Sequence, residues 1–163
     1  MRRCFFIFDY DNDLARAKQI GELGLEPANA PAGFDASRWM GARNTGPAEV
    51  QRLIDEALKG TSATVVLIGE RTAELDYVDY AIDRSIARQN GILGIFIHGL
   101  KDEDGETGTK GAVPYASEAA ERLEAHGYAT YDWDPGRFAE WVEEAATGWK
   151  QFARPEPLNK PPV

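Results

Sequence analysis

Asp9, Asp11 and Asp13 alternate within one short segment, Asp9-Tyr10-Asp11-Asn12-Asp13, directly after the apolar run Arg3 to Phe8. Carboxylates in that position have two ordinary uses. They cap the helix that follows, whose first amides lack partners and whose dipole favours negative charge, or they meet a ligand at the carboxyl end of a strand. Capping accounts for Asp11 and Asp13 well and for Asp9 less well, so Asp9 and Tyr10 stand as site candidates. The other reactive side chains argue by exclusion. Cys4 is the lone cysteine and makes neither an internal disulfide nor a zinc site; a buried strand residue is its better reading. His98 and His126 each stand alone and read as loop or cap residues. The acids between Gly99 and Tyr115 lack the spacing of a calcium loop, which leaves an exposed loop. No Walker loop, G-x-G-x-x-G, G-x-S-x-G elbow or metal-ligand cluster occurs. The charge pattern Asp9, Asp11, Asp13 superficially suits a receiver or a flavin binder, but a receiver needs an Asp closing its third strand, where this chain has Gly69-Glu70.

The elements that position these residues centre on Ala63 to His98. ATVVLIG and GILGIFIH are short apolar runs rich in Val and Ile, the pattern of strands buried on both faces. Between them Leu75, Val78, Ile82, Ser85, Ile86 and Gln89 fall on one helical stripe, with Thr72 as N-cap and Asn90-Gly91 as the stop. Strand, crossover helix, strand is a βαβ unit with parallel strands. Ligands in such sheets sit beyond the carboxyl ends of the strands. The candidate cleft is therefore lined by Asp9, Tyr10, the Asp35 to Trp39 loop and Arg71 to Ala81.

The rest of the chain follows the same alternation. Arg3 to Phe8 reads as a central strand, followed by a helix from about Leu14 to Leu23 that Gly24 ends. Glu26 to Thr45, with Pro27, Pro31, Gly33 and Gly41, reads as a long irregular loop that hides a short edge strand near Phe34. Trp39 in that loop either lines the site or covers the sheet edge. Pro47 to Leu58 is the clearest helix, with Pro47 in its first turn and Gly60 beyond its end. Ser117 to Ala125 reads as a helix and Tyr128 to Trp133 as the last strand. A final helix starts at Asp134-Pro135, with Phe138, Trp141, Val142, Ala145, Trp149 and Phe152 as its core stripe. The expected fold is a flavodoxin-like α/β three-layer sandwich, a five-stranded parallel sheet in the order 2-1-3-4-5. One domain spans residues 1–153, and a Pro-rich tail spans 154–163.

Composition sets the partners. At 163 residues and 43% hydrophobic the chain has the makings of a proper core. Its formal charge of −9, from 27 acidic and 18 basic residues, argues against nucleic acid or an anionic membrane as partner, although local basic groups can hold a small anion. No apolar run approaches a bilayer span and MRRCFFIFDYDND lacks a signal-peptide pattern, so a soluble cytoplasmic protein is expected.

The order FFIFDYDND-LARAKQI, GFDASRWMGAR, LIDEALKGTSATVVLIGERTA, YVDYAIDRSIARQNGILGIFIH and KDEDGETGTKG resembles the TIR-like proteins of the DUF1863 (MTH538-like) type, the family that includes the TIR subunit of the Thoeris anti-phage system. The resemblance covers Arg3 to Pro114. It implies an enzyme that consumes NAD+ as substrate, with no resident cofactor and no metal. Such an enzyme makes an ADP-ribose-type product, a cyclic isomer among the possibilities, that activates a downstream effector; homotypic association into an oligomer is a further family habit. It also implies Phe8, Asp9, Tyr10, Asp35, Ser37, Trp39 and Tyr77 as substrate-binding residues, with rings stacking on adenine or nicotinamide and Asp9 or Asp35 holding ribose hydroxyls.

The family places its catalytic glutamate on the helix after the third strand, in a W-V-x-Y-E-I-type motif. Here Tyr77-Val78-Asp79-Tyr80-Ala81-Ile82 puts Ala81 at that position. On a helical wheel Ala81 lies about 100° from the centre of the buried stripe, a boundary position suited to facing a cleft. The resemblance thus implies an inactive Glu-to-Ala form of an NAD+-cleaving enzyme. An engineered change and a naturally inactive member both give that form, and the intact motif around it favours the first. The competing reading is a catalytically dead TIR scaffold that works by homotypic association.

Overall fold

The computed structural model describes residues 3–21, 36–114 and 128–152, without the side chains of residues 21, 36, 37 and 149–152. Four strands form one parallel sheet: β1 (Cys4–Ile7), β2 (Ala63–Ile68), β3 (Gly91–Phe96) and β4 (Ala129–Asp132), in the spatial order β1-β2-β3-β4. Val65 pairs with Leu93 and Ile68 with Phe96, so the two apolar runs are parallel as the βαβ reading requires. Of the five strands expected, the described residues show four, all parallel. The expected edge strand near Phe34 lies outside the described residues, as do the expected Ser117 to Ala125 helix and the tail.

Side-chain alternation settles the layers. Phe5 and Thr64 are register partners, and Thr64 meets Ser85 of α4 (Asp76–Ala87). Phe6 and Val65 point the other way, where Phe6 meets Phe138 of α5 (Phe138–Phe152). One face of the sheet carries α4 and its neighbour α3 (Pro47–Leu58), and the opposite face carries α5. Because both faces are covered, every residue of β1, β2 and β3 is buried. Cys4 is among them, and burial pushes its thiol up to about 12, which keeps it protonated and unreactive near neutral pH. The stripe of α5 meets the sheet through Phe138, Trp141 and Val142, with Tyr131 of β4 stacked on Trp141 at 4.1 Å. Trp149 and Phe152 have side chains outside the described residues.

Several boundaries differ from the sequence expectation for identifiable reasons. Ala36–Thr45 is a helix, α2, not part of an irregular loop. Thr72 does not cap α4: it sits in a 3₁₀ turn (Thr72–Glu74), and its hydroxyl accepts the Gly69 amide at 2.7 Å, while Leu75 occupies the N-cap position. At the other end α4 stops at Ala87, and the left-handed residue is Gln89 (φ 64°), not Asn90 or Gly91. Asn90 turns inward instead, its amide donating to the hydroxyls of Thr61 at 2.9 Å and Thr64 at 3.3 Å. After β4, Asp134-Pro135 forms a turn and α5 begins only at Phe138.

Candidate functional site

The chain leaves β1 through Phe8 and enters a turn that Asp9 organises. The Asp9 carboxylate accepts the amides of Asp11 at 3.1 Å and Asn12 at 3.2 Å through Oδ1, and the Asn12 side-chain amide at 2.7 Å through Oδ2. Its carbonyl accepts the Asp13 amide at 2.8 Å as the chain winds into α1 (Leu14–Gly21). The Asp9 carboxylate therefore holds its own turn ahead of α1, while Asp13 stands at the N-cap position, its carbonyl accepting the Ala17 amide at 2.9 Å. Asp11 and Asp13 look elsewhere: Asp11 pairs with Arg43 of α2, and Asp13 turns inward to Arg16.

Above this turn four aromatic rings meet. Phe8 stacks on Tyr10 with centroids 4.1 Å apart, Tyr10 stacks on Trp39 at 4.3 Å with 19° between planes, and Trp39 sets its edge on Tyr77 at 4.7 Å. Tyr77 also fixes the backbone. Its hydroxyl donates to the Phe8 carbonyl at 2.8 Å and accepts the Tyr10 amide at 3.2 Å, so α4 is tied to the carboxyl end of β1. Burial raises the Tyr10 and Tyr77 hydroxyls well above the usual tyrosine range, and Asp9 and Asp11 add to the rise at Tyr77. Both phenols stay neutral donors.

A second construction closes the end of β2. Arg16 is buried and gives Nη1 to Asp13 Oδ1 at 2.6 Å, Nε to the Leu100 carbonyl at 2.8 Å and Nη2 to the Glu106 carbonyl at 3.0 Å. One guanidinium thereby straps the loop after β3 across α1. The strap leaves no room at two glycines. A Cβ on Gly69 would come within 2.1 Å of Asp13 Oδ2, and one on Gly111 within 2.2 Å of the Gly69 carbonyl oxygen. Asp13 Oδ2 is buried without a hydrogen-bond partner, and burial pushes the Asp13 carboxyl upward against the pull of Arg16.

Ala81 follows Tyr77 by four residues, one turn further along α4, and is completely enclosed. The boundary position expected from the wheel does not hold. The wheel counts only the stripe facing the sheet, whereas α3 packs along the flank of α4: Tyr80 donates to Asp55 of α3 at 2.8 Å and Arg84 pairs with the same carboxylate at 2.9 Å. The Ser85 hydroxyl donates to the carbonyl of residue 81 at 2.7 Å.

Of the seven substrate-binding candidates, Phe8, Asp9, Tyr10, Trp39 and Tyr77 come together at the carboxyl end of β1. Asp35 lies outside the described residues, and Ser37 stands in the first turn of α2 with its side chain outside them. The expected line from Arg71 to Ala81 contributes only Tyr77 to the ring cluster. Among the described residues no group of three or more His, Cys, Asp or Glu is disposed to hold a metal.

Comparison with known proteins decides the family. The profile described as "Thoeris protein ThsB, TIR-like domain" matches residues 5–102, more than half of the chain, including the ring cluster and residue 81. The chain belongs to the Thoeris ThsB TIR-like family. A relative from Bacillus cereus (strain MSX-D12), named "Putative cyclic ADP-D-ribose synthase ThsB1", is 32% identical over 168 residues, which covers 97% of this chain and 84% of the relative. The parallel α/β sheet is the TIR-like, flavodoxin-type architecture expected from the sequence. No described helix is long and apolar enough to cross a membrane.

Within this TIR-like domain, two features beside the candidate site are not legible from sequence alone. Arg16 lies three residues after Asp13, a helical ion-pair spacing that was visible, but its carbonyl partners 84 and 90 residues away were not. Arg43 lies four residues after Trp39, so one face of α2 presents an indole and a guanidinium to the β1–α1 turn.

Proposed function

We propose that this chain is a TIR-family NAD+-consuming protein of anti-phage immunity in which Ala81 stands at the catalytic carboxylate position. In the parent reaction the bond from C1″ of the ribose to nicotinamide breaks, nicotinamide leaves with the electron pair, and the oxocarbenium carbon is captured by water or by another atom of the same molecule. The product is linear or cyclic ADP-ribose, and a downstream effector reads it. A carboxylate at residue 81 stabilises charge that develops only as the bond breaks. Its absence leaves this chain nearly inactive.

The observation that carries the reading is the aromatic group Phe8, Tyr10, Trp39 and Tyr77, one helical turn from residue 81. Phe8, Tyr10 and Trp39 are buried in mutual stacking, so a flat adenine or nicotinamide ring would meet the group at the half-buried Tyr77. A helical side chain leans toward its helix's N-terminus, so a longer residue at 81 runs toward Tyr77. With the Asp9 carboxylate engaged in its own turn, Asp35 and Ser37 become the main candidates for the ribose hydroxyls. The fold carrying this site has five strands in the order 2-1-3-4-5, with the edge strand near Phe34, in a domain of residues 1–153 followed by a tail at 154–163. The protein works in the cytoplasm, where homotypic association can assemble it.

A second reading, a scaffold that never cleaves NAD+, rests on the full burial of Ala81, since alanine suits that enclosed place. Saturation-transfer NMR separates the two. The enzyme reading predicts transfer from the unmodified chain to the nicotinamide or adenine protons of NAD+, lost in Trp39→Ala. No transfer at millimolar NAD+, with self-association intact, favours the scaffold.

A further inference from the structure

The rings at the end of β1 stack on one another with Phe8, Tyr10 and Trp39 buried, which leaves the half-buried Tyr77 as the edge a base can meet, yet the charges beside that edge are wrong for a dinucleotide's phosphates. Asp9 and Asp11 both bear on the Tyr77 hydroxyl, and the positive group that bears on it among the described residues is Arg43. Arg43 stands one turn beyond Trp39 on the same face of α2. Trp39 lies flat on Tyr10 and is buried, while Arg43 reaches over the rim to Asp11. The two ends of that ion pair are open to solvent: the Arg43 and Asp11 side chains are 47% and 53% exposed. An ion pair this wet is held weakly, so a phosphate can take the guanidinium from Asp11 at little cost. Arg43 is also suited to that exchange by geometry, because a guanidinium binds a phosphate through two parallel N–H donors.

We propose that Arg43 is the diphosphate-binding residue of this site, parked on Asp11 in the free protein and transferred to the ligand when its base packs at the Tyr77 edge of the aromatic rings. The ligand class is a nucleoside diphosphate ester such as ADP-ribose. The proposal rests on the NAD-type reading above and adds the residue that selects for the phosphates. It also gives Asp11 a role: it competes with the ligand, so removing its charge strengthens binding. Trp39 and Arg43 act together through α2, the indole setting where the helix sits and the guanidinium deciding what it accepts.

The test is calorimetric titration of ADP-ribose and, separately, of adenosine, which is neutral and lacks the diphosphate, into the full chain and into Arg43→Gln and Asp11→Asn. Loss of one charge-assisted phosphate contact predicts that Arg43→Gln binds ADP-ribose roughly 10- to 100-fold more weakly. Adenosine should change by less than about twofold, a neutral ligand without phosphate having nothing to lose. Asp11→Asn should bind ADP-ribose severalfold more tightly. In the wild type, added salt should weaken ADP-ribose and spare neutral adenosine, which tests the claim even if a variant folds poorly. Equal ADP-ribose affinity in Arg43→Gln and wild type, with no salt dependence, overturns the role of Arg43. No tightening in Asp11→Asn overturns the exchange. A wild type that binds neither ligand overturns the NAD-type reading itself, and the proposal with it.

Discussion

The Tyr77 hydroxyl and the Phe8 carbonyl oxygen lie 2.8 Å apart, a hydrogen bond that joins the first turn of α4 to the carboxyl end of β1. The same hydroxyl accepts the Tyr10 amide, so one atom serves two backbone groups from the neighbouring strand end. Tyr77→Phe keeps the ring against Trp39 but strands a carbonyl and an amide. Losing that pair should destabilise the fold by about 1–3 kcal/mol, measured as a lower urea midpoint at unchanged m-value. A midpoint equal to wild type contradicts the tie.

Arg16 and Asp13 make a buried pair, with 8% and 2% of their side chains exposed. Removing one partner leaves the other's charge uncompensated, so Arg16→Leu should cost about 3–5 kcal/mol. Asp13→Leu combined with Arg16→Leu should cost less than Arg16→Leu alone, because no buried charge remains. Hydrogen exchange in the loop after β3 should rise in both variants, since the Leu100 and Glu106 carbonyls lose their donor. If that loop exchanges as in wild type, Arg16 does not strap it.

The sheet was legible because its signals are local. ATVVLI and GILGIF are apolar at nearly every position, which only strands covered on both faces need to be, and Val50, Leu53, Ile54 and Leu58 spell one helical face beside Pro47. What sequence reasoning missed depends on a second element. α2 carries Gly41 and few apolar residues, and its helix is recognisable chiefly through what Trp39 and Arg43 touch. Ala81 reads as a boundary residue on its own helix, yet it is enclosed, with α3 tied to α4 through the neighbouring Tyr80. Of the site, the residues gathered at β1 were readable from their place after a strand and from the family pattern. The use of Asp9 as the turn's own cap was not, because it depends on three donors, two of them main-chain amides, whose direction a sequence does not state.

Gln89 closes α4 in the left-handed region at φ 64°, where a side chain with a Cβ is strained. It is exposed, so its side chain contributes little packing in return. Gln89→Gly should therefore stabilise the protein by about 1 kcal/mol, net of the extra freedom glycine gives the unfolded chain. Thermal unfolding should show a higher midpoint. A fall in the midpoint would mean that Gln89 holds the end of α4 through contacts that offset its strain.

The central claim is that residue 81 is where the reaction's carboxylate belongs. Ala81→Glu adds volume and a polar group to an enclosed place, so it should fold with stability reduced by about 1–3 kcal/mol. A single electrostatic group of this kind typically contributes on the order of 10²–10³ in rate. The deciding measurement is chromatography of NAD+ incubated with the unmodified chain and with the Ala81→Glu protein at equal concentration, with any phage-derived trigger supplied and with folding checked by circular dichroism. The account predicts nicotinamide and an ADP-ribose product from the Ala81→Glu protein, at least about 100-fold faster than from the alanine chain. A folded, triggered Ala81→Glu protein that releases no nicotinamide would contradict it.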